Sequence, residues 1–166
     1  RSTQFSSSAA SDVYKRQEEI CVPLELEETG VMRNENVVMQ LATGYTTSPR
    51  DTRRARYINY LQPFSSGNMY STITDLWRFT KAVMSAELLP KFQTRQIFYD
   101  NDGMYGFGWG IRDFNGVKAY GHRGGMNGFV SSLTYIPEDK IFICFLTNDD
   151  NTCLLYTSPS PRDEKV

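Results

Sequence analysis

The chain of 166 residues has one histidine, three cysteines and no long apolar run, and its formal net charge is only −1. Each scarcity removes a class of function. A near-neutral balance leaves no electrostatic case for nucleic acid. Without a long apolar stretch, nothing in the sequence reads as a membrane span. Cys21, Cys144 and Cys153 are far apart, with no paired spacing and a single histidine to join them. That pattern supplies no zinc site and gives no argument for a disulfide. Cys144 lies in the apolar run "IFICFLT" and reads as a small buried hydrophobe. No cofactor or metal is implied. Neither a GxSxG elbow nor a phosphate-binding GxGxxG occurs.

The composition that remains is that of a globular domain, with 40% apolar, 22% charged and 13% aromatic residues. Both ends differ from the middle. "RSTQFSSSAASDVYKRQ" and "CLLYTSPSPRDEKV" are rich in Ser, Thr, Pro and basic residues and lack periodicity. The strings "SAASDVYKRQ" and "CLLYTSPSPRD" also resemble translated sequencing-adapter reads of the kind found at the ends of assembled environmental gene fragments. Residues 1–17 and 153–166 are therefore expected to be adapter-like or disordered tails, and 18–152 a partial domain cut at both ends.

Within the middle, "EEICVPLELEETG" reads as a short helix or turn ending near Gly30, and "VVMQLATGY" as a possible strand. The basic run Arg50–Arg56 reads as a solvated loop. A helix is predicted over Leu76–Leu88: Ser71 or Thr72 caps it, Asp75 lies in its first turn, and Pro90 ends it. Its stripe of Leu76, Phe79, Val83 and Ala86, widened by Ile73, Trp77 and Met84, is a core face. From Tyr105 the period becomes two. Tyr105, Phe107, Trp109 and Ile111 are expected on one face, with Gly106, Gly108 and Gly110 bare on the other, where a neighbour approaches closely. Asn115-Gly116 signals a hairpin into "VKAYGH". "FVSSLTYIP" and "IFICFLT" follow as third and fourth strands, the fourth expected to be central and covered on both faces. The fold class is α+β, an antiparallel sheet with packed helices.

The only histidine falls in "GHRGGMNGF", where four of nine residues are glycine. Alone, this is a glycine-rich loop with an incidental histidine. Its setting says more. "ICVPLELEETG", "LATGY", "SSGNMYSTITDLWRF", "YGFGWGI" and "GHRGGMNGFVSSLTYIPEDKIFICFLTN" resemble, in order and at matching spacing, segments of the serine β-lactamase and penicillin-binding-protein superfamily. The nearest branch is that of class C-like β-lactamases, D-alanyl-D-alanine carboxypeptidases and related esterases. The resemblance spans Glu18–Asn151 and corresponds to the family's C-terminal half.

The resemblance implies a truncated β-lactamase-like fold and acyl transfer on an ester, amide or β-lactam, with a small-molecule or peptide substrate. It also implies a periplasmic or secreted setting. His122, Arg123 and Gly124 match the triplet on the family's catalytic edge strand. His122 is expected to donate near the anionic end of the substrate, and Gly124 to let substrate lie against the backbone. Gly125 would give its N–H to an oxyanion hole. Arg123 departs from the small hydroxyl residue often found there, and strand alternation would turn it away from the site.

The family's nucleophile motif is absent. Three residues before Lys15, Lys81, Lys91, Lys118, Lys140 and Lys165 stand Asp12, Arg78, Leu88, Asn115, Pro137 and Arg162, so no Ser-Xaa-Xaa-Lys exists. Tyr57-Ile58-Asn59 matches Tyr-Xaa-Asn but follows "PLELEETG", whereas the family's copy precedes that segment, and it reads as coincidence. Two expectations result: a serine hydrolase whose nucleophile-bearing half is missing, or a non-catalytic relative that binds a ligand or partner.

Overall fold

The computed structural model describes residues 15–60, 68–99 and 104–152. Residues 1–14 and 153–166, most of the two expected tails, lie outside the described residues; Lys15 and Arg16 are helical and lead into the first helix. Helix α1 (Gln17–Cys21) is a short π-helical turn that buries Cys21. Strand β1 (Gly30–Val31) follows. A hairpin, β2 (Tyr45–Ser48) and β3 (Asp51–Arg54), comes next. Then come β4 (Met69–Tyr70), α2 (Ile73–Met84) and α3 (Lys91–Ile97). The chain finishes with β5 (Gly110–Phe114), β6 (Val117–Met126), β7 (Phe129–Ile136) and β8 (Ile141–Thr147).

Strands β5 to β8 form one antiparallel sheet in sequence order, and β1 pairs with β4. The period-two pattern thus produces the expected meander. Asn115 and Gly116 take φ of 55° and 93°, as a two-residue turn matched to strand twist demands. The Asp113 carboxylate accepts the Gly116 N–H at 2.7 Å.

Thr72 caps α2, its hydroxyl accepting the Asp75 N–H at 3.3 Å. The helix ends earlier than predicted, at Met84 rather than Leu88. Ala86 turns into the left-handed region at φ 59°, which breaks the ladder before Pro90 is reached. Pro90 instead opens α3, a helix the periodicity did not reveal, where its missing N–H costs nothing. Two further expectations are corrected. "VVMQLATGY" is irregular until Tyr45, and the arginine run is an exposed strand rather than a loop, because Tyr45–Ser48 is extended and pairs with Asp51–Arg54.

The core forms where both helices meet one face of the sheet. Trp77 packs its ring 5.0 Å from Phe142 and 6.0 Å from Tyr135. Phe98, after α3, meets Trp109 at 5.7 Å and Tyr120 at 4.8 Å, both edge-on. Such tilted pairs contribute roughly 0.5–1.5 kcal/mol each beyond simple burial.

The opposite face is different. Ile141, Ile143 and Phe145 point there and remain 42–44% exposed. Strand β8 is therefore an edge covered on one face, and not the central, doubly covered strand that its continuous apolar run predicted.

The segment before β5 also departs from expectation. Tyr105–Trp109 is not a straight strand. Gly108, at φ 80°, lets it fold back, with the Gly106 N–H donating to Trp109 O and the Ile111 N–H to Met104 O. The four residues expected on one face are thereby split: Trp109 and Ile111 are buried, while Tyr105 and Phe107 are exposed. The expected close approach is present at Gly106, where a Cβ would collide with the Ile97 carbonyl oxygen.

Candidate active site

His122, Arg123, Gly124 and Gly125 lie consecutively on β6, and all are exposed. What makes the stretch unusual is its edge. Ladder β5–β6 stops at Gly110↔Gly121, while β6–β7 continues to Met126↔Phe129. Among the described residues, 122–126 thus have a strand on one side only.

The direction of each backbone group follows from the register. The Ile111 N–H is bonded to Met104, away from β6. Gly110 must then face β6, so that Gly110 and Gly121 form a hydrogen-bonded pair. Alternation directs the N–H and C=O of Arg123 and Gly125 to the same side as those of Gly121, beyond the end of β5. No described backbone group bonds to them there. Gly125 is open in a second sense, since a Cβ built on it meets nothing. At Gly124 a Cβ would sit 2.5 Å from Ser131 Oγ, so this glycine accommodates its cross-strand neighbour.

Side chains alternate as well. His122 shares the helix-covered face with Tyr120 and Leu133, while Arg123 shares the bare face with Ser132. The structure therefore brings His122 and the Gly125 edge together and turns the Arg123 side chain away. It also adds a residue that the period-two pattern only put on a strand face with Trp109 and Ile111. The ring of Tyr105 stands edge-on to His122, with centroids 6.1 Å apart. The three glycines of "YGFGWG" were the available signal, because a fold-back needs such residues and a straight strand does not.

The far end of β6 is held by a clamp. After β8, Asp150 Oδ2 accepts the Gly128 N–H and the Thr46 hydroxyl, both at 2.8 Å. Asp149 Oδ1 accepts N–H groups from Asn151 at 3.0 Å and Thr47 at 3.2 Å. These bonds fasten the β2–β3 hairpin to the β6–β7 turn, where Gly44 and Ala55 press against Gly128.

The hydrogen bonds from Asn151, then Thr47, hold the Asp149 carboxyl below its ordinary value. A lowered carboxyl favours the folded form above the unfolded-state value and loses that advantage as pH falls through the folded one. Acidification below the ordinary carboxylate range should therefore loosen the hairpin first. Faster amide exchange at Thr47 and Asn151 than in the β6–β7 ladder, seen by NMR, checks this; uniform loss across both would contradict it.

Burial raises the thiol values of Cys21, where the Asp75 charge adds to the effect, and of Cys144, so neither is an activated nucleophile. Among the described residues no three potential metal ligands cluster, and no helix is long and apolar enough to cross a membrane.

This architecture, an antiparallel sheet with helices on one face and a glycine-rich strand whose far end lacks a neighbour on one side, has known relatives. The family model described as Beta-lactamase matches residues 16–155, and the chain belongs to that family. Its fold is that of the β-lactamase and penicillin-binding-protein serine hydrolases. The penicillin-binding protein of Bacillus halodurans superposes with a TM-score of 0.72 at 19% identity, over 84% of this chain and 46% of its own. A D-stereospecific amidohydrolase from Streptomyces sp. gives 0.71 at 21% identity, over 83% and 44%. The octameric penicillin-binding protein homologue of Pyrococcus abyssi gives 0.71 at 21%, over 82% and 33%. The chain thus spans less than half the length of these relatives. No curated protein matches the sequence.

Proposed function

We propose that this chain is the C-terminal half of a serine hydrolase that transfers acyl groups from an ester, amide or β-lactam, and that His122–Gly125 is one wall of its site. The observation that carries the reading is the open edge of β6. An extended substrate can pair there with the backbone of Arg123, which makes Arg123 a substrate-binding residue through its main chain. The Gly125 N–H is aimed at the same space, where a carbonyl oxygen gaining negative charge would accept it. His122 borders that space as a donor, its ring backed by Tyr105. The serine and lysine that would form and break the acyl bond belong to the other half. The bare face of Ile141, Ile143 and Phe145 supports this, because an apolar face of that kind ordinarily lies against further chain.

Among the neighbours, the amidohydrolase from Streptomyces and a D-amino acid amidase from Ochrobactrum anthropi favour amides among the substrate classes. A periplasmic or secreted setting is the expectation for such an enzyme.

The absence of Ser-Xaa-Xaa-Lys from this chain also fits a non-catalytic binder, and one experiment separates the two. The chain alone is expected to hydrolyse none of a chromogenic cephalosporin, a short acyl ester, a D-amino acid amide and a D-Ala-D-Ala peptide. The product of the complete coding sequence should hydrolyse at least one and show an acyl-serine mass adduct. Hydrolysis by the isolated chain would refute the missing-nucleophile reading. A complete protein lacking Ser-Xaa-Xaa-Lys and hydrolysing none of them would support the binder.

A further inference from the structure

Residues 50–56, Arg-Asp-Thr-Arg-Arg-Ala-Arg, set four arginines against one aspartate in a chain of net charge −1. The fold makes Asp51–Arg54 of this run the outer strand of the β2–β3 hairpin, with every residue of β3 exposed and Arg50 and Arg56 at its two ends. The hairpin is firmly seated. Besides the carboxylate clamp, Tyr45 N–H donates to Asn148 O, Asp150 N–H to Tyr45 O, and Asn151 Nδ2 to Thr47 O at 2.7 Å.

The acids beside it are already committed. Asp149 and Asp150 accept from backbone N–H groups and a threonine hydroxyl, and neither reaches an arginine. Among the described residues, Arg50, Arg53, Arg54 and Arg56 enter no ion pair. A guanidinium offers a fixed fork of donors that matches a carboxylate in bidentate fashion. Presenting several on a clamped hairpin lowers the ordering cost of binding compared with a loose loop.

We infer that the β2–β3 hairpin is a docking element for a short carboxylate-rich peptide segment. A short acidic segment matches the length of the four-arginine run, and the near-neutral balance of the chain as a whole offers no extended basic track for a long polyanion. The base of the hairpin, Gly44 and Ala55, presses on Gly128 in the turn that closes β6. A peptide held on the arginines would lie on the hairpin that abuts this turn, three residues along the chain from Gly125. That this peptide is the substrate rests on the acyl-transfer reading; that it binds does not.

The test needs no catalysis. Hexaglutamate is titrated into the isotope-labelled 166-residue chain at low salt, with amide shifts followed by NMR. Shifts should concentrate at residues 44–56 and Gly128, and moderate salt should weaken binding several-fold through screening. Arg53→Ser/Arg54→Ser is expected to weaken it about tenfold, consistent with a few tenths to 1 kcal/mol per exposed pair. Arg112→Ser/Lys118→Ser removes equal charge from the β5–β6 hairpin and should leave binding within about twofold. Both pairs are exposed, and an unchanged spectrum away from the substitutions verifies the fold. Absence of shifts, equal weakening by both pairs, or tighter occupation of the same residues by a short DNA duplex would each overturn the inference. Failure of hydrolysis in the complete protein would leave this result standing.

Discussion

Replacing Gly125 by proline in the complete protein is expected to lower kcat about 100- to 1000-fold, the usual cost of losing one oxyanion donor. The register makes this a clean substitution. Proline removes an N–H, and in most strands that also removes a ladder bond. Here the Gly125 N–H points past the end of β5, so the β6–β7 ladder keeps all its bonds. Space is available, since a Cβ at Gly125 meets no atom within 4 Å. The preceding Gly124 is extended, as a residue before proline prefers. Unfolding midpoints should therefore stay close to those of the parent while kcat falls. His122→Ala, measured beside it, should act mainly on KM if the histidine holds the anionic end of the substrate. Full activity in both variants would mean that the site lies elsewhere.

Asp75→Ala is expected to remove about 3 kcal/mol of stability, a large share of the 5–15 kcal/mol that a domain has. Asp75 is 2% exposed. Its Oδ2 accepts the Glu28 N–H at 3.0 Å and the Thr29 hydroxyl at 2.8 Å, and Arg78 Nη1 lies 3.7 Å from Oδ1. Hydrogen bonds to a charged group contribute about 1.5–3 kcal/mol each, and truncation leaves the buried Thr29 hydroxyl with only Ser71 as partner, at 2.8 Å. The carboxylate also ties the N-terminus of α2 to the chain entering β1, 46 residues away in sequence from Thr29. Asp75→Asn keeps an acceptor and should lose about half as much. Urea unfolding followed by circular dichroism gives the comparison; a loss below about 1 kcal/mol in the alanine variant would show that water replaces the carboxylate at no cost.

Much of the fold could be read locally, for reasons that are themselves local. Asn115-Gly116 demands positive φ at both positions, and few other dipeptides tolerate it. Thr72 and Asp75 announce the start of α2, because the threonine hydroxyl accepts an N–H that has no helical partner and an acid in the first turn complements the helix dipole. The alternation in β6 and β7 follows from a sheet with one face against helices. The candidate site was legible only through a resemblance, since one histidine among glycines has no chemistry of its own in sequence. Its partner Tyr105 is not legible as such, because an uninterrupted period of two through Gly108 puts it on one strand face with Trp109 and Ile111.

By itself the sequence determined the antiparallel meander, its turns, the α2 helix with its cap, and that no Ser-Xaa-Xaa-Lys string occurs in it. The tertiary structure decided which strand is an edge, which faces are covered and where β6 has no partner. Strand β8 shows the difference most plainly. Its seven residues are nearly all apolar, which locally means burial on both faces, yet coverage is supplied by other segments, and among the described residues it is α2 that packs on it, from one face. The open side of Gly125 has the same origin. It exists because β5 begins at Gly110, two positions short of opposing Arg123, and that offset belongs to the pairing of two strands rather than to either one.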